Sequence, residues 1–222
     1  MYKYDTHVHT DETSRCGKVK ARDVVRLYKE AGYNGVVITD HYFSGFFDNS
    51  PGITWEDKID DYLKGYRIAL DEGNKLGLTV MFGIEIKFDC EPNDYLVYGM
   101  DEEFLKENKE LYKLDLAKFV ELKKLKDFLI YQAHPFRKSM LRAEPNLLDG
   151  IEVYNGNPRH ESNNDIAYRH ALSNGLKMIS GSDFHQVVDL ARGGIITNKK
   201  INTINDLFIT LKKDEIAELI KT

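Results

Sequence analysis

Tyr2-Lys3-Tyr4-Asp5-Thr6-His7-Val8-His9 is the stretch from which the fold is read. Its β-branched and aromatic residues predict a strand, in which side chains alternate between faces. A spacing of two aims His7 and His9 the same way, with Asp5 in line behind them and Thr6 and Val8 opposite. Two imidazoles in line with a carboxylate make a poor core and a good set of metal ligands. His-x-His alone is a weak signal, since exposed strand histidines are common. It gains weight because the chain repeats the arrangement.

Working outward, residues 21–31 carry Val24, Val25, Leu27 and Tyr28 at helical spacing and stop at Gly32. Gly35-Val36-Val37-Ile38-Thr39 is a short apolar run, as expected of a strand buried on both faces, and it ends in Asp40-His41. Further strands are predicted at 78–88, with Glu85 inside Gly83-Ile84-Glu85-Ile86, and at 95–100, preceded by Asp94. Others fall at 128–133, ending in His134-Pro135, and at 150–154, carrying Glu152. A strand at 176–180 ends in Gly181-Ser182-Asp183-Phe184-His185, and 195–197 is the last. Helices are expected over 56–76, the charged stretch 102–126, 161–174, and after about residue 200, around Leu207 and Ile216.

Strands alternating with helices imply parallel pairing, because a crossover helix joins parallel neighbours. About seven such units predict an α/β fold, a closed or nearly closed barrel, with an open doubly wound sheet as the alternative. Active sites of such barrels gather at the carboxyl ends of the strands. Of seven histidines, five (His7, His9, His41, His134 and His185) lie at predicted strand ends. His160 and His170 lie elsewhere and are given no role.

Composition narrows the function. The 222 residues are read as one domain spanning 1–222. A formal net charge of -5 disfavours a nucleic-acid polymer or an acidic membrane as partner. Cys16 and Cys90 cannot build a disulfide framework and read as reduced thiols. With no leader and no apolar run of membrane length, a cytoplasmic location is expected.

Each candidate has an ordinary structural alternative. Asp183 could cap a following helix, and His41 could bond a carbonyl at a strand end. Glu85 is harder to explain that way, because a carboxylate between two isoleucines in a core strand is costly unless paired or metal-bound. The set also resembles a known family. His7-Val8-His9-Thr10, Thr39-Asp40-His41, Gly83-Ile84-Glu85-Ile86, Ala133-His134-Pro135 and Gly181-Ser182-Asp183-x-His185 are similar, in order, to motifs of the PHP family, named for polymerases and histidinol phosphatases.

That resemblance implies a distorted (β/α)7, TIM-like barrel with two or three divalent transition-metal ions (zinc, manganese or iron) that hydrolyses phosphate esters. It implies one ion on His7, His9, Glu85 and Asp183, a second bridged by Glu85 and bound by His134, and a third on His41 and His185. Asp94 stands where the family often has a histidine and is carried over as a ligand. The loop after His9, where the family places another ligand, offers Cys16, with Asp11 and Glu12 nearby. Two cations would clamp a phosphoryl group and supply a metal-bridging hydroxide at neutral pH. Glu85, Asp183 and His185 are then the candidates nearest the chemistry. Arg137 and Arg159 are candidates for the remaining phosphate oxygens, with Arg192 and Lys18 behind them.

The expected activity is hydrolysis of a small phosphomonoester, resembling histidinol phosphate or a nucleotide. The alternatives are an amidohydrolase-type metal hydrolase and a non-catalytic metal-binding accessory module. Residues 42–53, with Phe43, Phe46 and Phe47, form the longest predicted loop near the site. Its aromatics either close over a small planar or apolar group or pack the loop onto the barrel.

Overall fold

The computed structural model describes all 222 residues. Strand β1 (Tyr2–Val8) is followed by α1 (Ala21–Glu30), β2 (Gly35–Ile38) and the two-residue β3 (His41–Tyr42). Next come α2 (Ser44–Phe47), α3 (Trp55–Tyr62), α4 (Lys64–Leu76), β4 (Thr79–Lys87) and β5 (Asp94–Tyr98). Short helices α5 (Glu102–Glu107) and α6 (Leu116–Glu121) precede β6 (Leu129–Gln132) and β7 (Gly150–Asn155). Then follow α7 (Asn164–Asn174), β8 (Lys177–Gly181), β9 (Gly193–Thr197), α8 (Ile204–Lys212) and β10 (Ile216–Lys221).

Nine strands run in the order β10-β9-β1-β2-β4-β5-β6-β7-β8, with β3 paired to β4 off that path. Seven of them, from β1 round to β8, curl into the expected barrel. The seam is drawn together just past β8, where Phe184 bridges Val8. His9 N donates to Phe184 O (3.0 Å) and Phe184 N to His7 O (3.2 Å).

Period-two alternation decides what lies inside. On β4, Phe82, Ile84 and Ile86 pack outward in a cluster with α3, α5 and α6 residues such as Ile59, Leu105 and Phe119. Met81 faces inward, where Tyr4, Val37, Leu96, Tyr98, Tyr131 and Ile179 build an apolar floor. Glu85, in phase with Met81, stands in the layer above that floor. Helix α1 covers β1 and β2 with Val24, Val25 and Tyr28, the same face its spacing predicted.

Several expectations need correction. Pairing is not all parallel: β5 runs antiparallel to both β4 and β6, because the six-residue link 88–93 is too short for a crossover helix. The stretch 56–76 is two helices, broken at Leu63. The charged run 102–126 is not one helix either, since Glu110 turns left-handed (φ 52) and Asp115 caps a fresh start by accepting from Lys118 N. Ile216 lies in β10 rather than in a terminal helix: Asp214 (φ 57) ends the turn after α8, and the chain then pairs with β9. No helix is long and apolar enough to cross a membrane.

Candidate metal centre

Strand β1 departs from strict alternation at one point. Its pairing with β2 slips between Asp5 and Val8, three residues opposite two. This bulge turns Asp5 away from His7 and His9, contrary to the in-line expectation. Asp5 accepts from Tyr28 Oη on α1 (2.7 Å) and from the backbone N of His7 and Ser182 (both 3.1 Å). It ties β1 to α1 and to the segment after β8. His7 and His9 face inward, with ring centroids 5.0 Å apart.

The other sequence-selected groups arrive at the same end of the barrel. His41 comes from β3 and Glu85 from β4. His134 follows β6, and Asp183 and His185 follow β8. Asp94 opens β5, and the reversal of that strand puts its first residue beside the last residues of its neighbours, opposite Lys87. His134 (φ 30) and Asp183 (φ 53) both hold backbone angles that non-glycine residues rarely adopt, strain that tends to mark functional positions.

Glu85 is the hub. Its Oε1 lies 3.3 Å from His7 Nε2 and 3.2 Å from His134 Nε2. Its Oε2 lies 3.4 Å from His9 Nε2 and 2.6 Å from His41 Nδ1. Asp183 Oδ1 is 3.5 Å from both His7 Nε2 and His9 Nε2 and 3.3 Å from His185 Nδ1. His134 Nε2 is 4.0 Å from Asp94 Oδ2. Three groups therefore have ligand atoms all within 4.8 Å of one another: His7/His9/Glu85, Glu85/Asp94/His134 and His9/His41/His185.

Electrostatics follow from burial and this crowding. Burial alone would raise the pKa of Glu85, but His7 and His41 hold it well below the usual carboxylate range. Asp183 is likewise held low against burial by His7, His9, His185 and Arg137. Burial would depress His7, yet Glu152, Glu85 and Asp183 push it well above its ordinary value. His9 goes the other way, lowered by burial and then by His185 and His41. Burial and neighbouring Glu85 raise Asp94.

The surrounding groups aim these ligands. Glu152 Oε1 accepts from His7 Nδ1 (2.9 Å), which leaves His7 Nε2 for the centre. Its Oε2 accepts from His134 N (3.0 Å) and Asn155 Nδ2 (2.9 Å). Asp40 fastens the loop after β1 by accepting from Thr10 N and Oγ1 (both 2.7 Å) and from Ser14 Oγ (2.6 Å). Buried Asp189 accepts from His185 N (2.9 Å) and grips Arg159 through Nε (3.3 Å) and Nη2 (2.8 Å). Arg137 Nη2 donates to Asp183 Oδ2 and Asn155 Oδ1 (2.8 and 2.9 Å).

Two facts test whether these residues suit metal ions. Buried His7 Nε2, His9 Nε2 and His134 Nδ1 have no hydrogen-bond partner, and orphaned polar atoms in a packed interior are costly. Four carboxylates, on Glu85, Asp94, Glu152 and Asp183, also gather at this end of the barrel, and only Asp183 among them pairs with a guanidinium, that of Arg137. Divalent cations would satisfy both the lone pairs and the charge, so the donor set fits.

All eight sequence-selected ligands thus come to one end of the barrel. The two selected arginines reach its rim, each paired with a carboxylate. Of the loop donors, Asp11 is committed to Lys20 (2.5 Å), while Cys16 is an exposed free thiol. The aromatic loop mostly packs inward: Phe47 lies against Trp55 and Tyr112 (4.9 and 5.4 Å), and Phe46 against Tyr62 (5.4 Å). Phe43 alone of the three meets a candidate ligand, edge-on to His41 at 6.3 Å. The sequence reading gave Glu152 no role. The signal was there, a carboxylate between Ile151 and Val153 in a core strand, the same pattern that singled out Glu85.

The chain belongs to the PHP domain family, whose model matches residues 5–203. None of the curated proteins compared matches it in sequence. Among solved structures it is similar to a two-domain protein from Bacteroides vulgatus containing a predicted PHP-like metal-dependent phosphoesterase, at TM-score 0.69 and 19% identity. That match covers 97% of this chain and 63% of the other, so the chain spans less than two thirds of that relative. PsfC from Pseudomonas syringae matches at TM-score 0.65 and 14% identity, over 94% of this chain and 88% of that one. An amidohydrolase from Chromobacterium violaceum, with bound sulfate and no metal, matches at 0.50 and 15%, over 84% and 89%. At these identities the likeness is one of fold. The three donor clusters all lie within the residues that the family model matches.

Proposed function

We propose that this chain, one domain over residues 1–222, is a phosphoesterase that hydrolyses small phosphomonoesters. In this reading His7, His9, His41, Glu85, Asp94, His134, Asp183 and His185 hold two or three zinc, manganese or iron ions. The observation that carries it is Glu85, a buried carboxylate within 3.4 Å of ring nitrogens on four histidines. A carboxylate so placed is suited to lie between two cations.

Bound there, the ions would supply Lewis acidity toward a phosphoryl oxygen and acidify water to near neutrality. The chain's own groups do the rest. Glu85 and Asp183 stay ionised because their histidines hold the protons off them. Glu152 keeps the His7 proton on Nδ1, facing away from the centre. Arg137, with its buried Nε unpartnered, is a fixed donor at the rim for a phosphate oxygen. Arg159 is the weaker candidate, since Asp189 already engages two of its nitrogens. An amidohydrolase reading would favour a bridging lysine, but Glu85 occupies the hub and Lys87 pairs with Asp94 (3.6 Å). Both cysteines are free, which suits a reducing compartment such as the cytoplasm.

Two measurements test the proposal. Protein purified with metals supplied and no chelator should carry two or three transition-metal ions per chain, and less than one overturns the reading. A panel of mononucleotides and sugar phosphates should release phosphate, with inorganic phosphate competing and Arg137→Ala weakening KM. Hydrolysis of amides, lactones or single-stranded DNA, with no action on small esters, would refute it.

A further inference from the structure

A hollow of about 580 Å³ opens in the loop that follows β6. Pro135, Phe136, Arg137, Met140, Leu141 and Arg142 line it, beginning at the residue after His134. Arg137 belongs to both places: it lines the hollow, and its Nη2 reaches Asp183 Oδ2 (2.8 Å).

The walls are built in advance. Arg137 N donates to His134 O and Met140 N to Arg137 O (both 3.0 Å), so the loop leaves β6 in two successive turns. Ser139 is left-handed (φ 80) in the second. Two buried amides hold the far side. Gln132 Nε2 donates to Leu141 O (2.6 Å), and its Oε1 accepts from Ala143 N (3.1 Å). Asn93 Oδ1 accepts from Leu141 N (2.7 Å). Phe136 lies edge-on to His170 at 5.3 Å and against the apolar cluster of β7 and α7. A loop pinned at its backbone in this way loses little freedom when a ligand arrives.

The chemistry of the hollow is one-sided. Phe136, Met140 and Leu141 give it apolar walls, and its charge comes from two arginines with no acid among the lining residues. Arg137 pairs with Asp183, whereas Arg142 pairs with no carboxylate.

We propose that this hollow is the subsite for the alcohol half of the phosphomonoester, and that the alcohol carries apolar carbon and a terminal anionic group, which Arg142 receives. The inference rests on the phosphoesterase reading and deepens it by naming the chemistry of the leaving group. With a phosphate oxygen at Arg137, the carbon skeleton would run past Phe136, Met140 and Leu141 to Arg142. A guanidinium there favours a carboxylate, which can accept two parallel N–H bonds. An alcohol bearing an ammonium, histidinol among them, would meet two arginines and no acid.

Three phenyl phosphates test this, carrying in the para position a carboxyethyl, a propyl or an aminoethyl group, so that the phenol leaving groups are nearly alike. The metal-loaded full chain should hydrolyse the carboxyethyl ester with a KM roughly tenfold below that of the propyl ester, and further below that of the aminoethyl ester. Arg142→Gln should bring the carboxyethyl and propyl esters together. Arg142→Glu should reverse the order in favour of the aminoethyl ester. Binding is read separately, without metal, from the methyl signal of Met140 in isotope-labelled protein. Added para-hydroxyphenylpropanoate, the alcohol product, should shift that signal, and tyramine should not. If the three esters share one KM, if Arg142→Glu keeps the carboxyethyl preference, or if Met140 does not respond to the propanoate, this inference falls and the phosphoesterase reading stands. If neither these esters nor any other small phosphomonoester releases phosphate, both fall.

Discussion

Glu152 decides which nitrogen of His7 faces the centre, although it lies 145 residues further along the chain. Glu152→Gln keeps the shape but removes the charge that anchors the Nδ1 proton. Metal affinity should drop roughly 10- to 100-fold by chelator competition, with the fold unchanged by circular dichroism. Glu85→Gln should do more: with the charge between the two clusters gone, the folded protein should retain fewer ions and little turnover. Normal metal content in that variant would make Glu85 a structural carboxylate only. Asp5 should behave in the opposite way. Asp5→Ala strands two backbone N–H groups and leaves the Tyr28 hydroxyl only Ser182 Oγ as partner, costing about 2–4 kcal/mol in denaturant unfolding. The surviving folded protein should bind its full complement of metal. The ligand types were readable because histidines and carboxylates at apolar strand ends have few other uses. The outward turn of Asp5 was not readable, because a bulge shifts the phase of alternation without changing composition.

Among the elements, the short apolar strands were the most legible, since burial on both faces leaves nothing but hydrophobic residues between punctuating turns. Direction was less so. The β4–β5 hairpin was missed in favour of parallel pairing, its one signal being a six-residue link, and only that reversal explains why Asp94 reaches the cluster from the start of a strand. The charged stretch 102–126 misled because its Lys/Glu pattern suits a helix everywhere, while its actual breaks depend on single caps. Strand β9 shows a constraint invisible to pattern reading. It wedges into the seam, pairing with Tyr2, Lys3 and Tyr4 while Gly194 N donates to Ser180 Oγ (3.1 Å). A Cβ at Gly193 would come within 2.2 Å of Gly181 backbone atoms, and one at Gly194 (φ +134) within 2.4 Å of Tyr4 O. Gly193→Ala should therefore destabilise by about 1–3 kcal/mol in urea unfolding. An unchanged midpoint would mean that the seam is looser than described.

Across the whole molecule, barrel closure and assembly of the centre involve the same residues. His7 and His9 sit on one side of the seam, Asp183 and His185 on the other, and the bridging backbone bonds run between them. Cations on this cluster would bind the closed barrel and not the open chain. At a hundredfold excess over the dissociation constant, one such ion adds about 2.7 kcal/mol. Chelation should lower the melting temperature, and amides of His9 and Phe184 should exchange with solvent faster than those of β4. Equal exchange at both places would argue that the seam holds without ions.

The seam also joins the chain to itself across a long contour. Ser182 and His7 are 175 residues apart in sequence, so a cation shared by His7 and Asp183 would close a ring of nearly the whole polypeptide. It would act as a reversible cross-link, in a molecule whose two cysteines make none. By the chain-entropy relation used for disulfides, a permanent link of that span would remove about 5 kcal/mol of freedom from the unfolded chain. A coordination link would contribute in this way only while its ligands stayed attached, as far as the unfolding chain allowed. Metal supply would then set how tightly the two ends of the sequence are tethered, and with that how readily a protease finds an opening.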